Sequence, residues 1–172
     1  MSDQDAIEAV TLPVAALEVP HMVAALARWR DACRRSLPSG LVAVSIPSER
    51  QADPLGLVEA APHTGLTDVL HEPLDFRVRH VGAEIVAAQG VDLTGRRVSK
   101  LEPRRFIGLI MQTFAAVVAG REPVLHRVLY RHGEQRLDYL RLLLPLSDDG
   151  RNVKTIWAVT RYGEGLEQFP AG

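Results

Sequence analysis

The sequence predicts an α+β domain: a five-stranded antiparallel sheet with helices packed on it, plus an N-terminal helical extension. Three observations carry this. Residues 124–162 read as three strands joined by short turns, which makes an antiparallel meander. Phe106, Ile110, Phe114 and Val118, with Ile107 and Val117, place a broad apolar face on a helix over 103–119. Two shorter strand-like runs, 66–70 and 76–81, precede that helix. The expected organisation is an extension over 1–40 with an amphipathic helix, a domain over 41–162, and a tail over 163–172.

Taken in order, residues 1–19 carry a mixed pattern broken by Pro13. After Pro20, the apolar residues Met22, Leu26, Trp29, Cys33 and Leu37 recur at helical spacing. Arg28, Arg30, Asp31, Arg34 and Arg35 fall mainly elsewhere on that helix, and Pro38 and Gly40 end it. Asp53-Pro54 reads as a cap followed by proline, opening a short helix that Pro62 stops. Glu72, Pro73 and Asp75 mark the turn between the first two strands. Ala83 to Ala88 can form a turn or two of helix before Gly90. Gly120 is the expected C-cap of the long helix, with Pro123 beyond it. Gly133-Glu134 and Asp148-Asp149-Gly150 supply the turns of the meander.

Composition bounds the class. Of 172 residues, 47% are apolar and 24% charged, a globular profile with enough chain to bury a core. The net charge of -1 offers no general attraction to nucleic acid or to an anionic membrane. No uncharged apolar run reaches the ~18 residues of a membrane span. The acidic start lacks the basic and apolar blocks of a signal peptide. Cys33 is the only cysteine, so no intrachain disulfide forms, and a lone thiol suits a reducing compartment. A cytoplasmic protein is expected, with neither nucleic acid nor membrane as partner.

The strand pattern also speaks to packing. Leu140, Leu142, Leu144 and Leu146 share one face, and Leu137, Tyr139 and Leu143 the other. In the next strand Ile156 and Ala158 oppose Val153, Trp157 and Val159. A sheet with one wet face alternates cleanly. This one is apolar on both sides, so each face needs a cover. The 103–119 helix covers one; the Trp29 helix or a second subunit covers the other.

Several segments in order carry a resemblance: Leu26-Ala27-Arg28-Trp29, Asp53-Pro54, the run from Asp75 to Gly82, Gly90 to Gly95, and Leu144-Pro145-Leu146 followed by Asp149-Gly150. With the order strand, strand, short helix, long helix and meander, the chain resembles a PAS domain. It is similar to one bacterial subfamily of PAS-like proteins, usually found as short stand-alone chains. The resemblance spans roughly residues 26–162. It implies a five-stranded sheet cradling helices, and a sensory role in signal transduction. It names no ligand.

A PAS pocket lies between the sheet and the helices packed on it. Its candidate lining is Phe76, Val78, Ile110, Phe114, Val128, Tyr130, Tyr139, Arg141, Trp157 and Val159. Tyr130, Tyr139 and Arg141 would be its polar groups, since such sites are mostly apolar with a few placed polar side chains. The competing reading is that these residues only fill the core. The candidate dimer contact is the stripe Met22, Leu26, Trp29 and Cys33. If it joins two subunits, Trp29→Glu gives a folded monomer.

Haem and flavin photochemistry are not expected. Haem-binding PAS domains more often place the ligand on a helix, whereas His80 and His126 fall on strands and the long helix has no histidine. The reactive cysteine motif of flavin photoreceptors has no counterpart over 83–88. Otherwise the cofactor is unknown. The histidines show no metal-ligand spacing, so no metal is assigned. Arg77 and Arg79 alternate along a strand and suit either an anion or an ion pair with Asp75 or Glu84.

No nucleophile elbow or phosphate loop occurs, and Asp148-Asp149 sit in turn chemistry, so no catalytic residue is assigned. The leading expectation is therefore a sensory module for a small ligand or a partner protein, with a possible homodimer and a separate signalling partner. The alternatives are a ligand-free interaction module, separated from a sensor by its cavity, and a small enzyme on a cone-like α+β fold.

Overall fold

The computed structural model describes residues 6–36 and 38–163. It is α+β, with one six-stranded antiparallel sheet, a two-stranded hairpin and four helices. In chain order these are β1 (Ala6–Leu12), α1 (Pro20–Ala32), β2 (Arg34–Ser36), β3 (Val42–Val44), α2 (Glu49–Ala52), β4 (Thr64–Leu70), β5 (Asp75–Val81), α3 (Ala83–Gln89), α4 (Arg104–Gly120), β6 (Val124–His132), β7 (Gln135–Leu146) and β8 (Thr155–Tyr162). The large sheet runs β1-β6-β7-β8-β4-β5.

Two-faced burial organises the layers. Leu140, Leu142, Leu144 and Leu146 of β7, with Trp157 and Val159 of β8, pack under α1. On the other face Leu143, Ile156 and Ala158 pack under Ile107, Ile110, Phe114 and Val117 of α4. The alternation in β7 puts those leucines and Leu143 on opposite sides, and the β7–β8 pairing Leu144↔Trp157 and Leu143↔Ala158 keeps the layers in register.

The helix α1 is pinned as well as packed. Trp29 Nε1 donates to the Pro145 carbonyl oxygen at 2.7 Å in a buried hydrogen bond. β6 ends opposite Leu143, so Pro145 has no strand on that side. Its missing N–H therefore costs no ladder bond, and its carbonyl is available to the indole.

Several elements differ from expectation. The sheet has six strands, not five: β1 pairs with β6 from Ala6↔Arg131 to Leu12↔Leu125. It is an edge strand without a clean period-2 pattern, so nothing in residues 6–12 announces it. The Trp29 helix stops at Ala32 instead of running to residue 37. Its expected last turn becomes β2, which pairs with β3 through a turn holding Gly40 at φ +79°. Leu37 lies outside the described residues, as does all of the tail beyond Gly163.

Asp53 heads only a single 3-10 turn, Pro54–Gly56, at its N-cap position and without a side-chain cap hydrogen bond. It closes α2 in the left-handed conformation, and the N-cap of α2 is Ser48, whose side chain and Gln51 form a reciprocal capping box. At the end of α4 the left-handed position is Arg121 (φ 60°), one residue after Gly120. Asp149 accepts from Ser147 Oγ and from the Arg151 and Asn152 amides, a turn role.

The dimer stripe also needs correction. Met22, Leu26, Trp29 and Cys33 are buried in the chain's own core, packed with the β7 leucines. None is free to meet a second subunit. Burial holds the Cys33 thiol up at about 11, a packed and unreactive group. Among the described residues no helix is long and apolar enough to cross a membrane.

Trp29→Phe keeps most of the ring volume but leaves the buried Pro145 carbonyl unpaired, and is expected to cost about 1–3 kcal/mol. Leu142→Ala is expected to cost about 2–5 kcal/mol through the cavity it opens. Urea denaturation measures both. Trp29→Glu is expected to unfold the chain, since a carboxylate would be forced into that layer.

Candidate functional site

The α4 face of the sheet is incompletely filled, and the cause is local. Gly65 of β4 pairs directly with Ala158 of β8, setting a residue without a side chain beside a single methyl group under the helices. Thr67 and Thr160 continue this shallow floor. The opposite face carries tryptophan and leucine at the equivalent layer. The volume left on the α4 side is a cavity of about 120 Å³ between the sheet, α3, α4 and the loop 93–101.

The roof is held in place by specific contacts. Gly82 starts α3, and a Cβ there would lie 2.3 Å from the Pro62 carbonyl oxygen, so only glycine lets α3 approach. Asp75 clamps the loop 93–101: its carboxylate accepts from Ser99 Oγ at 2.7 Å and from the Phe76 amide at 2.7 Å. The loop also runs along β5, with the Val78 amide donating to Arg96 O and the Gly95 amide to Val78 O. The Asp75–Gly82 and Gly90–Gly95 segments thus meet at the cavity. Arg79 pairs instead with Glu49 and Asp68 on the exterior.

The walls are apolar: Val78, Ile85, Leu101, Ile107, Ile110 and Phe114. The polar groups come chiefly from β7 and β8. Tyr139 and Arg141 sit two apart on β7 and so share a face. Tyr139 stacks on Tyr162 at 4.6 Å, and Gln89 Nε2 of α3 donates to Tyr162 Oη at 3.1 Å. Burial pushes both phenols up, so each stays neutral and able to donate. The Tyr139 hydroxyl has no hydrogen-bond partner among the described residues.

Arg141 is the anomaly. It is 4% exposed, yet no carboxylate among the described residues pairs with it. A guanidinium has five N–H donors. Here one finds an acceptor, Nη2 donating to Thr113 Oγ1 at 2.7 Å, and Nε is buried without any. The ring of Phe114 lies 5.3 Å from its central carbon. Such a contact is worth about 2 kcal/mol or somewhat more when desolvated, against several kcal/mol for burying an ion. Burial accordingly pushes the Arg141 pKa down. Opposite it on β6, His126 is 5% exposed with Nδ1 unpartnered, and burial, then the Arg141 charge, lowers its pKa to about 4.

Of the ten residues expected to line a pocket, Val78, Ile110, Phe114, Tyr139 and Arg141 do so. Trp157 and Val159 do not: the β7–β8 register turns them toward α1. Phe76 lies on the α4 face but fills the core against Phe114, with ring centroids 5.2 Å apart. Val128 is buried on β6 opposite Tyr139 but does not line the cavity, and Tyr130 lines a neighbouring groove of about 290 Å³ between α3, α4 and the β6–β7 end. Gln89, Leu93, Leu101, Phe106 and Ile107 line both spaces, so cavity and groove share a wall.

Sequence reasoning missed Gly65, Ile85, Leu101, Tyr162 and Gln89. The pair of small residues within apolar strands was the available signal, since glycine inside a strand marks a close approach or a gap. Among the described residues no group of three or more histidine, cysteine or acidic side chains is arranged to hold a metal. No family model matches the chain, and no curated protein matches it.

His126 is neutral in the folded state down to about pH 4 but takes up a proton near its ordinary value once unfolded. Between about pH 4 and 6.5 the unfolded state binds more protons, so stability is lost as pH falls through that window. His126→Phe is expected to flatten this slope. Urea midpoints at pH 4.5 and 7 test it; parallel slopes for both proteins contradict it.

Proposed function

We propose that this chain is a PAS-type sensory module that binds a small ligand in the cavity under α3 and α4 and signals to another chain. The carrying observation is the cavity, a mostly apolar space with a few convergent polar groups, the character of a ligand site. It lies where the PAS resemblance leads one to look, between the sheet and the helices packed on it. The order β4, β5, α3, α4 and the β6–β7–β8 meander also supports the resemblance. On this reading β4 to β8 are the five PAS strands, and β1 and α1 are an N-terminal addition that closes the second face.

The size argues for a small ligand. Drug-sized molecules occupy roughly 300–1,000 Å³, whereas an apolar cavity of about 150 Å³ takes benzene. At about 120 Å³ the space suits a molecule of a few heavy atoms, and a haem or flavin does not fit. The wall shared with the groove, where half-buried Phe106 stands, offers the route of access. A cytoplasmic setting agrees with the lone buried thiol.

The interaction-module reading keeps one observation of its own. Leu41, Val42 and Val44 are exposed together on the β2–β3 hairpin. In a sensor the same hairpin is a surface for the signalling partner.

Native mass spectrometry of freshly purified protein is expected to show a small-molecule excess that disappears on denaturation. Ile110→Trp, which fills the cavity from α4, is expected to remove that excess while the chain stays folded. An apo mass, together with no entry of xenon into the cavity, would sink the sensor reading and leave the interaction module.

A further inference from the structure

We infer that the cavity ligand is a small amphipathic monoanion, specifically a short-chain monocarboxylate whose head pairs with the Arg141 guanidinium. This rests on the ligand-binding reading above and assigns the ligand's chemistry.

Three features of the site select this class. The first is charge. Arg141 lines the cavity, is more than nine-tenths buried, and donates to one acceptor among the described residues. A planar guanidinium matches a carboxylate through two parallel N–H···O bonds. The second is the charge count. Among the described residues Arg141 is the only lysine or arginine lining the cavity, with the imidazole of His80 as the other titratable nitrogen base there, so with that imidazole neutral a single negative charge balances the site and a dianion such as phosphate leaves one uncompensated. Tyr139, two residues along the same face, adds a neutral hydroxyl donor without an assigned partner.

The third feature is the tail. Most of the remaining lining is hydrocarbon, Ile85, Leu101, Ile107 and Ile110 among others, with Thr67, His80, Gln89 and Thr160 as its further polar members. A carboxylate with four or so further carbons satisfies both ends, whereas a hydrophilic anion leaves apolar walls against polar atoms.

The competing occupant is water. A polar, roomy cavity takes water readily, and water would hydrate the guanidinium without distinguishing an acid from its amide. The test is built on that difference. The full chain is heated with sodium pentanoate, with pentanamide as its uncharged near-isostere, and with inorganic phosphate. Pentanoate is expected to raise Tm by roughly 5–10 °C at about a hundredfold excess over its Kd, with little change from the amide or phosphate. Arg141→Gln is expected to weaken pentanoate binding at least roughly thirtyfold.

Should Arg141→Gln fail to fold, Arg141→Met supplies the control, since it puts hydrocarbon where a buried charge stood and is expected to be at least as stable as the ligand-free parent. Equal shifts from pentanoate and pentanamide, or a pentanoate shift that survives in both Arg141 variants, would overturn the carboxylate assignment and leave the cavity a ligand site of another kind. Failure of pentanoate, pentanamide and xenon alike to bind would overturn the ligand-binding reading itself.

Discussion

The constraint on which the rest depends is that β7 and β8 are apolar on both faces. A sheet of that kind has no wet side, so each face must be roofed. α1 roofs one, fastened by the Trp29–Pro145 hydrogen bond, and α4 roofs the other. This explains why the N-terminal helix belongs to the monomer core and why its stripe is not left for a partner. It also explains why Arg141 is a problem for the fold. On an open sheet face its guanidinium would reach water; under α4 it is enclosed.

The two roofs do not fit equally well. On the α1 side Trp29, Trp157, Met22 and four leucines of β7 close the layer. On the α4 side the neighbours Gly65 and Ala158 leave space, and Arg141 lines it. Large side chains at those two positions would have given a tighter core and no site. Close packing is the rule in protein interiors, so a void beside an under-bonded charge is the feature that asks for a functional explanation. A ligand carrying the opposite charge answers both at once, filling the space and pairing the guanidinium.

Much of this was legible in the residues. The alternation in β7 correctly separated Tyr139 from Leu140 and Leu142, and the α4 face was readable from Ile110 and Phe114. Trp157 and Val159 show the limit. Their strand alternates as clearly, but which half faces α4 depends on the pairing Leu142↔Val159, a nonlocal fact that one strand does not contain. Val128 and Tyr130 show a second limit: both lie on β6, one strand beyond β7, so Val128 sits opposite Tyr139 without lining the cavity, a strand order that no single strand contains. β1 was invisible because an edge strand bonds through its backbone and needs no strong pattern. The hairpin at 34–44 took the last turn of the expected helix, since the Gly40 turn and Val42 and Val44 favour an extended return over continued helix.

The Arg141 guanidinium either acquires an anionic partner from the cavity or stays under-bonded in the core. The most direct measurement is the arginine Nε–Hε proton resonance of Arg141, assigned by its loss in Arg141→Met, during titration of the native chain with pentanoate. A saturable downfield shift of that single resonance is expected, the mark of a hydrogen bond to a carboxylate, while exposed arginines such as Arg104 stay still. An unmoved Arg141 signal at concentrations where pentanoate is seen to bind, or equal movement of every arginine, would contradict that pairing.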